Sequence, residues 1–89
     1  MIKQIEESNK FGKDLKRAKK RGKDLSKLKR IVADLFEEKE LHPKHRDHAL
    51  IGNWYPSRDC HIEPDWILIY TIEDETLRLE RTGTHSDLF

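Results

Sequence analysis

The run from Trp66 to Ile72, WILIYTI, constrains the fold more than any other segment, because it is apolar on both sides of an extended chain. Turn signals bound it, with Pro64-Asp65 before it and Glu73-Asp74-Glu75 after it. A short apolar run between turns is typical of a buried strand. The segment therefore predicts the central strand of a small sheet.

The preceding segment, Arg58–Glu63, alternates in character. Because successive side chains of a strand point to opposite faces, Cys60 and Ile62 are expected on the core face. Asp59 and His61 are then expected on the other face. Residues 77–82 alternate in the same way, and residues 2–7 are assigned a further short strand.

Two helices are predicted in the N-terminal part of the chain. Ser8 is suited to cap a helix that runs to about Arg21, with Gly22 in the position after its C-terminus. Asp24 is suited to cap a second helix, which runs to about Lys39 and has the broader apolar face. Helices joined by so short a connection are expected to pack antiparallel.

The remaining segments complete a prediction for the whole chain. Proline and glycine interrupt residues 41–56, which predicts mainly loop, and the tail from Gly83 to Phe89 is expected to leave the sheet. We therefore predict one α+β domain, residues 1–89, with two N-terminal helices packed on one face of a small twisted antiparallel sheet. The other face is expected to be partly open.

Composition supports a single small domain. Of the 89 residues, 35% are hydrophobic and 39% are charged, which indicates a thin core rather than a disordered chain. No apolar run approaches the ~20 residues that a membrane span needs.

The single cysteine, Cys60, has no partner for an internal disulfide, so a reducing cytoplasm is expected. A buried thiol at this position is expected to be inert.

Charge is distributed unevenly along the chain. Residues 1–33 contain 12 lysines and arginines against 4 acidic residues, and residues 34–89 contain 6 against 13, which gives +8 and −7 within a net charge of +1. One interpretation is an ordinary solvated basic surface. The other is a surface that follows a phosphate backbone, as in nucleic-acid-binding proteins.

Candidate catalytic groups are concentrated around the predicted sheet. Asp59 and His61 share its open face, Asp65 lies in the adjoining turn and His48 in the preceding loop. Histidine exchanges protons near neutral pH, so the group is suited to acid–base catalysis, although any one of these residues alone is more simply an ordinary polar residue. No metal site is predicted, because Cys60 faces away from His61 and the loop histidines lack a second pair of ligands.

Three segments carry a specific resemblance: LHPKHRDHALIGNW from Leu41, RDCHIEPDWILIY from Arg58 and ERTGTHSDLF from Glu80. In this order they resemble the YafQ branch of the RelE-type toxins of bacterial toxin–antitoxin pairs, and F-x-K-D-L-K-R from Phe11 agrees with it. The resemblance implies a microbial-RNase-like fold of the RelE type. It also implies an endoribonuclease that cuts messenger RNA on the ribosome without a metal or other cofactor, and that a cognate antitoxin silences in a hetero-oligomer.

The resemblance assigns roles to individual residues. Those carried over as catalytic are His48, His61, Asp65 and His85. Those carried over as substrate-binding are Asp59, Trp66 and Phe89, and Arg81 is added to them as a further candidate. On the basic helices, contact with the ribosome is assigned to Lys13, Lys16, Arg17 and Lys20.

Within this set, His85 is assigned as general acid and either Asp65 or His48 as general base. His61 and Arg81 are placed near the phosphate, and Phe89 is assigned to stack on a base. Strict alternation argues against Arg81, because it puts that residue on the face of the core strand residues. Two other interpretations stay open: a non-catalytic nucleic-acid-binding or repressor-like module, and a family member that is only a structural partner of an antitoxin.

Overall fold

The computed structural model describes all 89 residues, as a five-stranded sheet with three α-helices. The strands are β1 (Gln4–Glu7), β2 (His48–Ala49), β3 (Arg58–Glu63), β4 (Trp66–Glu73) and β5 (Thr76–Gly83). The helices are α1 (Asn9–Lys20), α2 (Leu25–Phe36) and α3 (His85–Leu88). The spatial order of the strands is β1-β5-β4-β3-β2, so β4 is the central strand as predicted. The prediction of an α+β fold is confirmed.

The sheet is antiparallel except at one edge. Strands β2 to β5 pair antiparallel in sequence order, whereas β1 runs parallel to β5. Tight turns at Pro64-Asp65 and Asp74-Glu75 fix the antiparallel direction of β3, β4 and β5. No hairpin joins β1 to β5, so an antiparallel direction is not imposed there. The two-residue strand β2 lies in the segment that was predicted as loop.

The helices begin where the sequence indicates. The Ser8 hydroxyl accepts the main-chain N–H of Phe11 at 3.0 Å, and Asp24 caps α2 in the same manner. Gly22 has φ +79° after α1, as expected of the residue that ends a helix. Helix α2 ends at Phe36 rather than near Lys39, because the chain turns left-handed at Glu38 (φ 58°). The N–H of Lys39 then bonds back to the carbonyl of Asp34, which closes the helix.

The main core lies between the two long helices and one face of the sheet. Trp66, Leu68 and Tyr70 of β4 are no more than 1% exposed, and they share a single buried cluster with Phe11 of α1 and Leu28 of α2. Cys60 belongs to the same cluster, and burial raises the pKa of its thiol to about 12. The predicted burial of Cys60 on the core face of β3 is therefore confirmed, and the inertness of its thiol stays a prediction.

The opposite face of the sheet has a smaller apolar cluster of its own. Ile67 and Ile69 of β4 are fully buried there against Leu88 of α3, with Leu50 and Trp54 packed at the margin. This face was expected to be partly open, and the loop and the tail in fact cover the middle of β4. The tail leaves the sheet as expected, and it does so as the short helix α3.

Strand β5 contains an irregularity that changes the direction of one site residue. Ile69 pairs with Arg81 but the next residue, Tyr70, pairs with Leu79, so Glu80 is an extra residue in the strand. Such a β-bulge shifts the alternation by one position. Arg81 is therefore in register with Ile69, on the face opposite the main core, and the objection from strict alternation was wrong.

An apolar groove opens between α1, α2 and β1. Its volume is about 480 Å³, and nine of its twelve lining residues are hydrophobic, among them Ile5, Leu15 and Val32.

No helix of the chain has both the length and the apolar character that crossing a membrane requires.

Candidate active site

Three histidines from three elements surround one buried aspartate. His48 of β2 lies opposite Asp59 of β3 in the strand register, and His61 follows two residues further along β3. Burial raises the pKa of Asp59, and His48, His61 and His85 oppose that rise when they are protonated. The rings of His61 and His85 are themselves neighbours, with centroids 5.4 Å apart. The structure thus brings together the three histidines that the sequence selected.

Asp59 is itself a structural part of the site rather than an exposed ligand for substrate. It is 4% exposed, and its Oδ1 lies 3.1 Å from Nδ1 of His48. That nitrogen is also 2.7 Å from the carbonyl of Arg46, and since a carbonyl only accepts, the single proton on Nδ1 goes there. Asp59 Oδ1 is consequently left with no hydrogen bond.

His85 is fixed by Asp65 from the turn between β3 and β4. A single oxygen, Oδ1 of Asp65, accepts the main-chain N–H of His85 at 2.9 Å and contacts the ring Nδ1 at 2.7 Å. The hydrogen bond from the His85 main chain lowers the pKa of Asp65 most, and the one from the His85 ring lowers it further. The carboxylate is therefore ionised at neutral pH. The ring proton is therefore on Nδ1, and Nε2 is free for chemistry.

Aromatic rings line the site beside His85. Its ring lies 5.4 Å from that of His61, centroid to centroid, in an edge-to-face arrangement. The ring of Phe89 lies 6.4 Å from that of His85, and Phe89 is 58% exposed, so it is available to stack on a base. Trp54 packs edge-on against Phe89 at 5.9 Å. Trp54 was not selected from the sequence, although its position in the loop beside the site is the kind that carries function.

Two residues assigned to substrate binding are engaged in contacts within the protein. Trp66 is 1% exposed in the main core, where its indole N–H donates to the hydroxyl of Thr82 at 2.9 Å. It cannot touch RNA, because even-numbered residues of β4 face the helices. Arg81 is on the correct face of the sheet, but its guanidinium is bound to buried Asp14 of α1 at 2.6 and 3.1 Å. Arg81 is thus held by an internal ion pair on the site face, and its placement beside the phosphate stays a prediction.

His45 supports the site through a contact with the main chain of β3. Its Nδ1 lies 2.6 Å from the main-chain carbonyl of His61, and this contact ties the loop before β2 to β3. Nothing in the sequence pattern distinguishes His45 from its neighbour His42, which caps a single turn of 3-10 helix. The contact joins positions 16 residues apart and becomes visible only in the folded chain.

The basic residues of α1 fall into two groups. Lys13, Lys16 and Lys20 are exposed and have no ion-pair partner, so they are free to meet a phosphate. Arg17 is instead shared between Asp87, at 3.5 Å, and Asp14, at 4.0 Å. Its side chain is still 45% exposed, so its assignment to the ribosome-binding surface stays a prediction.

The arrangement is suited to acid–base chemistry at a phosphate. Two imidazoles each have Nδ1 occupied by an acceptor, which leaves Nε2 of His48 and of His85 to accept or donate a proton. A third imidazole, His61, supplies positive charge when protonated. No three or more His, Cys, Asp or Glu side chains are grouped in a way that would hold a metal ion.

Sequence comparison identifies close relatives of the chain. Residues 3–89 match the model of a family described as the YafQ bacterial toxins of type II toxin–antitoxin systems. A protein of Escherichia coli strain K12 named mRNA interferase toxin YafQ is 49% identical over 88 residues, which is 98% of this chain and 96% of the relative.

Comparison of folds gives the same result. A copper-bound mutant toxin from Helicobacter pylori superposes with a TM-score of 0.94 at 39% identity, and each chain is covered completely. The E. coli DinJ-YafQ toxin–antitoxin complex contains a chain that superposes with a TM-score of 0.91 at 48% identity, covering 100% of this chain and 99% of that one.

Proposed function

Because the chain belongs to the family of YafQ toxins of bacterial type II toxin–antitoxin systems, we propose that it is a toxin that cleaves messenger RNA. The observation that carries the proposal is the pairing of His85 with Asp65 beside the ring of His61. The relative from E. coli is named an mRNA interferase. The site described above supplies the groups that such a reaction needs.

The reaction we propose is an internal transfer within the RNA. The ribose 2′-oxygen attacks the neighbouring phosphorus, and the bond from phosphorus to the 5′-oxygen of the next nucleotide breaks. The products are a 2′,3′-cyclic phosphate and a 5′-hydroxyl. A base removes the proton of the 2′-hydroxyl, an acid gives a proton to the departing 5′-oxygen, and positive charge stabilises the phosphorane between them.

The tautomers suggest how these roles are divided. His48 donates its Nδ1 proton to a main-chain carbonyl, so the neutral ring has its free electron pair on Nε2 and is suited to act as the base. Asp65 is less suited to be the base, since its Oδ1 already accepts two hydrogen bonds and its pKa is lowered. The same carboxylate stabilises the protonated ring of His85, which is the form that acts as the acid. His61 is left to offset the charge of the phosphate.

We propose the ribosome as the place where the message is cut. Lys13, Lys16 and Lys20 present unpaired charge on α1, away from internal ion pairs, and such charge binds ribosomal RNA in a salt-dependent way. Since translating ribosomes are in the bacterial cytoplasm, the protein is placed there.

We also propose that a cognate antitoxin binds this chain. A relative that is 48% identical over the whole length has been crystallised with its antitoxin. The apolar groove between α1, α2 and β1 is a suitable surface, because exposed apolar patches of this kind mark binding sites for partner proteins.

Expression of the chain is expected to arrest growth, and co-expression of the antitoxin gene is expected to relieve the arrest. A chain that is only a structural partner would not arrest growth.

The decisive measurement is cleavage of a message on programmed ribosomes by the purified protein. The His85→Ala variant is expected to cleave at least about 100-fold more slowly, because it lacks the proton donor. His42→Ala removes a histidine that lies outside the site and serves as the control. Cleavage by His85→Ala at the parent rate would exclude the proposed role. A non-catalytic binding module would bind ribosomes but cleave in none of the variants.

A further inference from the structure

Helix α3 is only one turn long, and a site residue lies at each of its ends. It begins with His85, and Phe89 follows directly after its last residue. A helix of four residues has no stability of its own, because forming the first turn is unfavourable. Leu88 anchors it in the apolar cluster on β4, but one apolar contact does not fix the direction of the helix. The position of the His85 ring therefore depends on polar contacts.

Asp87 makes most of these contacts. The N–H of Thr84 donates to Asp87 Oδ2 at 2.9 Å, and the N–H of Asp87 donates to the Thr84 hydroxyl at 3.1 Å, so the two residues cap the helix reciprocally. Arg21, just after α1, binds the same carboxylate with two nitrogens, at 2.7 and 3.2 Å. A two-point contact of this kind fixes both distance and angle.

The packing around Asp87 leaves its side chain little room to move. A Cβ atom placed on Gly83, at the end of β5, would lie 2.8 Å from Asp87 Oδ2 and 2.9 Å from its Cβ. The carboxylate thus rests directly on the main chain of β5, and only glycine permits this approach. Arg21 holds it there from the side of α1.

We propose that Arg21 and Asp87 are positioning residues for the cleavage reaction: their ion pair holds α3 at the angle at which His85 meets Asp65 and the RNA. The inference rests on the proposed function and adds a residue pair to it. It also separates Arg21, and Arg17 at 3.5 Å from the same carboxylate, from the unpaired lysines of α1. Arg21 acts through Asp87, whereas the free lysines of α1 contact RNA.

A direct contact between Arg21 and RNA is the competing explanation, since Arg21 is 43% exposed on its side chain. The two explanations differ in kinetics. Loss of an RNA contact raises KM and weakens the dependence on salt, whereas loss of orientation lowers kcat. They also differ in the behaviour of the double variant, because residues that act as one pair are not additive.

The test uses Arg21→Met, Asp87→Asn and their combination in the ribosome-dependent cleavage assay. Asp87→Asn keeps one oxygen for the cap on Thr84, but it removes the charge and replaces the second oxygen by an NH2 group that cannot accept a hydrogen bond from Arg21. Each single variant is expected to lower kcat about tenfold with KM within about twofold, and the double variant is expected to be no slower than either. Arg21→Lys, which keeps the charge but loses the two-point contact, is expected to recover part of the loss. Arg78→Met removes an ion pair with Glu80 at 3.1 Å, within β5, and is the matched control.

Parental kcat in both single variants, a rise in KM alone, or multiplying effects in the double variant would overturn the inference. Failure of the parent protein to cleave would instead overturn the proposed function. In that case the NMR signals of the His85 ring decide the inference independently of cleavage. They are expected to shift in Asp87→Asn but not in Arg78→Met, and an unchanged ring spectrum in Asp87→Asn would overturn it.

Discussion

One oxygen of Asp65 contacts His85 twice, at 2.9 Å from its main-chain N–H and at 2.7 Å from its ring Nδ1. The first contact fixes where α3 begins, and the second fixes which ring nitrogen carries the proton. Two segments that are 20 residues apart are joined in this way into one catalytic unit.

Asp65→Asn is expected to lower kcat for cleavage about 10- to 100-fold, with little change in KM. The amide oxygen still accepts hydrogen bonds, but a neutral group does not stabilise the protonated form of His85. Steady-state cleavage of ribosome-bound message measures the effect. Asp74→Asn, in the turn between β4 and β5, is the matched control, and an equal loss in both variants would contradict the role of Asp65.

Asp59→Asn is expected to stabilise the protein at pH 7 by about 1 kcal/mol, because it removes a buried negative charge that lacks a hydrogen bond on Oδ1. Burial raises the pKa of Asp59, so the folded state holds this proton more tightly than the unfolded state does. Stability of the parent therefore falls as pH rises from the ordinary aspartate value of ~3.9 through the raised value. Thermal melts are expected to show the largest gain at neutral pH and none at about pH 3. A variant that is less stable than the parent at pH 7 would contradict the prediction.

Asp87→Asn is expected to have the opposite dependence on pH. The hydrogen bonds from Arg21 and then from the Thr84 main chain lower the pKa of Asp87, so the unfolded state binds its proton more tightly. The stabilisation is present above the ordinary aspartate value of ~3.9 and is lost as pH falls below it. Melts of parent and variant are expected to differ at pH 7 and to converge in acid. A difference that stays constant down to about pH 2 would show that the charge of Asp87 is not responsible.

Trp66→Phe is expected to affect stability and not the interaction with RNA. The change removes the hydrogen bond from the indole to Thr82 and leaves a small cavity, which costs about 1–3 kcal/mol. Chemical denaturation measures the loss, and KM for ribosome-bound message is expected to stay at the parent value. A rise in KM without a loss of stability would restore Trp66 to the substrate-binding set.

Charge reversal at Lys16 and Lys20 is expected to weaken ribosome binding and to reduce its dependence on salt, since fewer phosphate contacts release fewer counterions. The binding constant measured over a series of salt concentrations gives the slope. Lys39→Glu reverses the charge of a lysine that is exposed and already paired with Glu37 at 2.9 Å, and it controls for net charge. Equal effects of the Lys39 and the Lys16 substitutions would show that the surface of α1 is not specific.

Local signals in the sequence determined much of the fold. The apolar run of β4, the helix caps at Ser8 and Asp24, and the glycine after α1 all act on neighbouring residues, so their effect is readable from the chain itself. Alternation along β3 also separated Cys60 from the site residues on the other face. The family motifs added the histidines, which the fold then brought together.

The tertiary structure alone decided the rest, because the responsible contacts join distant parts of the chain. A bulge in β5 places Arg81 on the face opposite the main core. Its guanidinium forms an ion pair with Asp14, which is 67 residues away in the chain. The same holds for Asp87, whose partner Arg21 is 66 residues distant. A register shift or an ion pair of this kind depends on which strand and which helix lie side by side, and no local pattern of residue types contains that information.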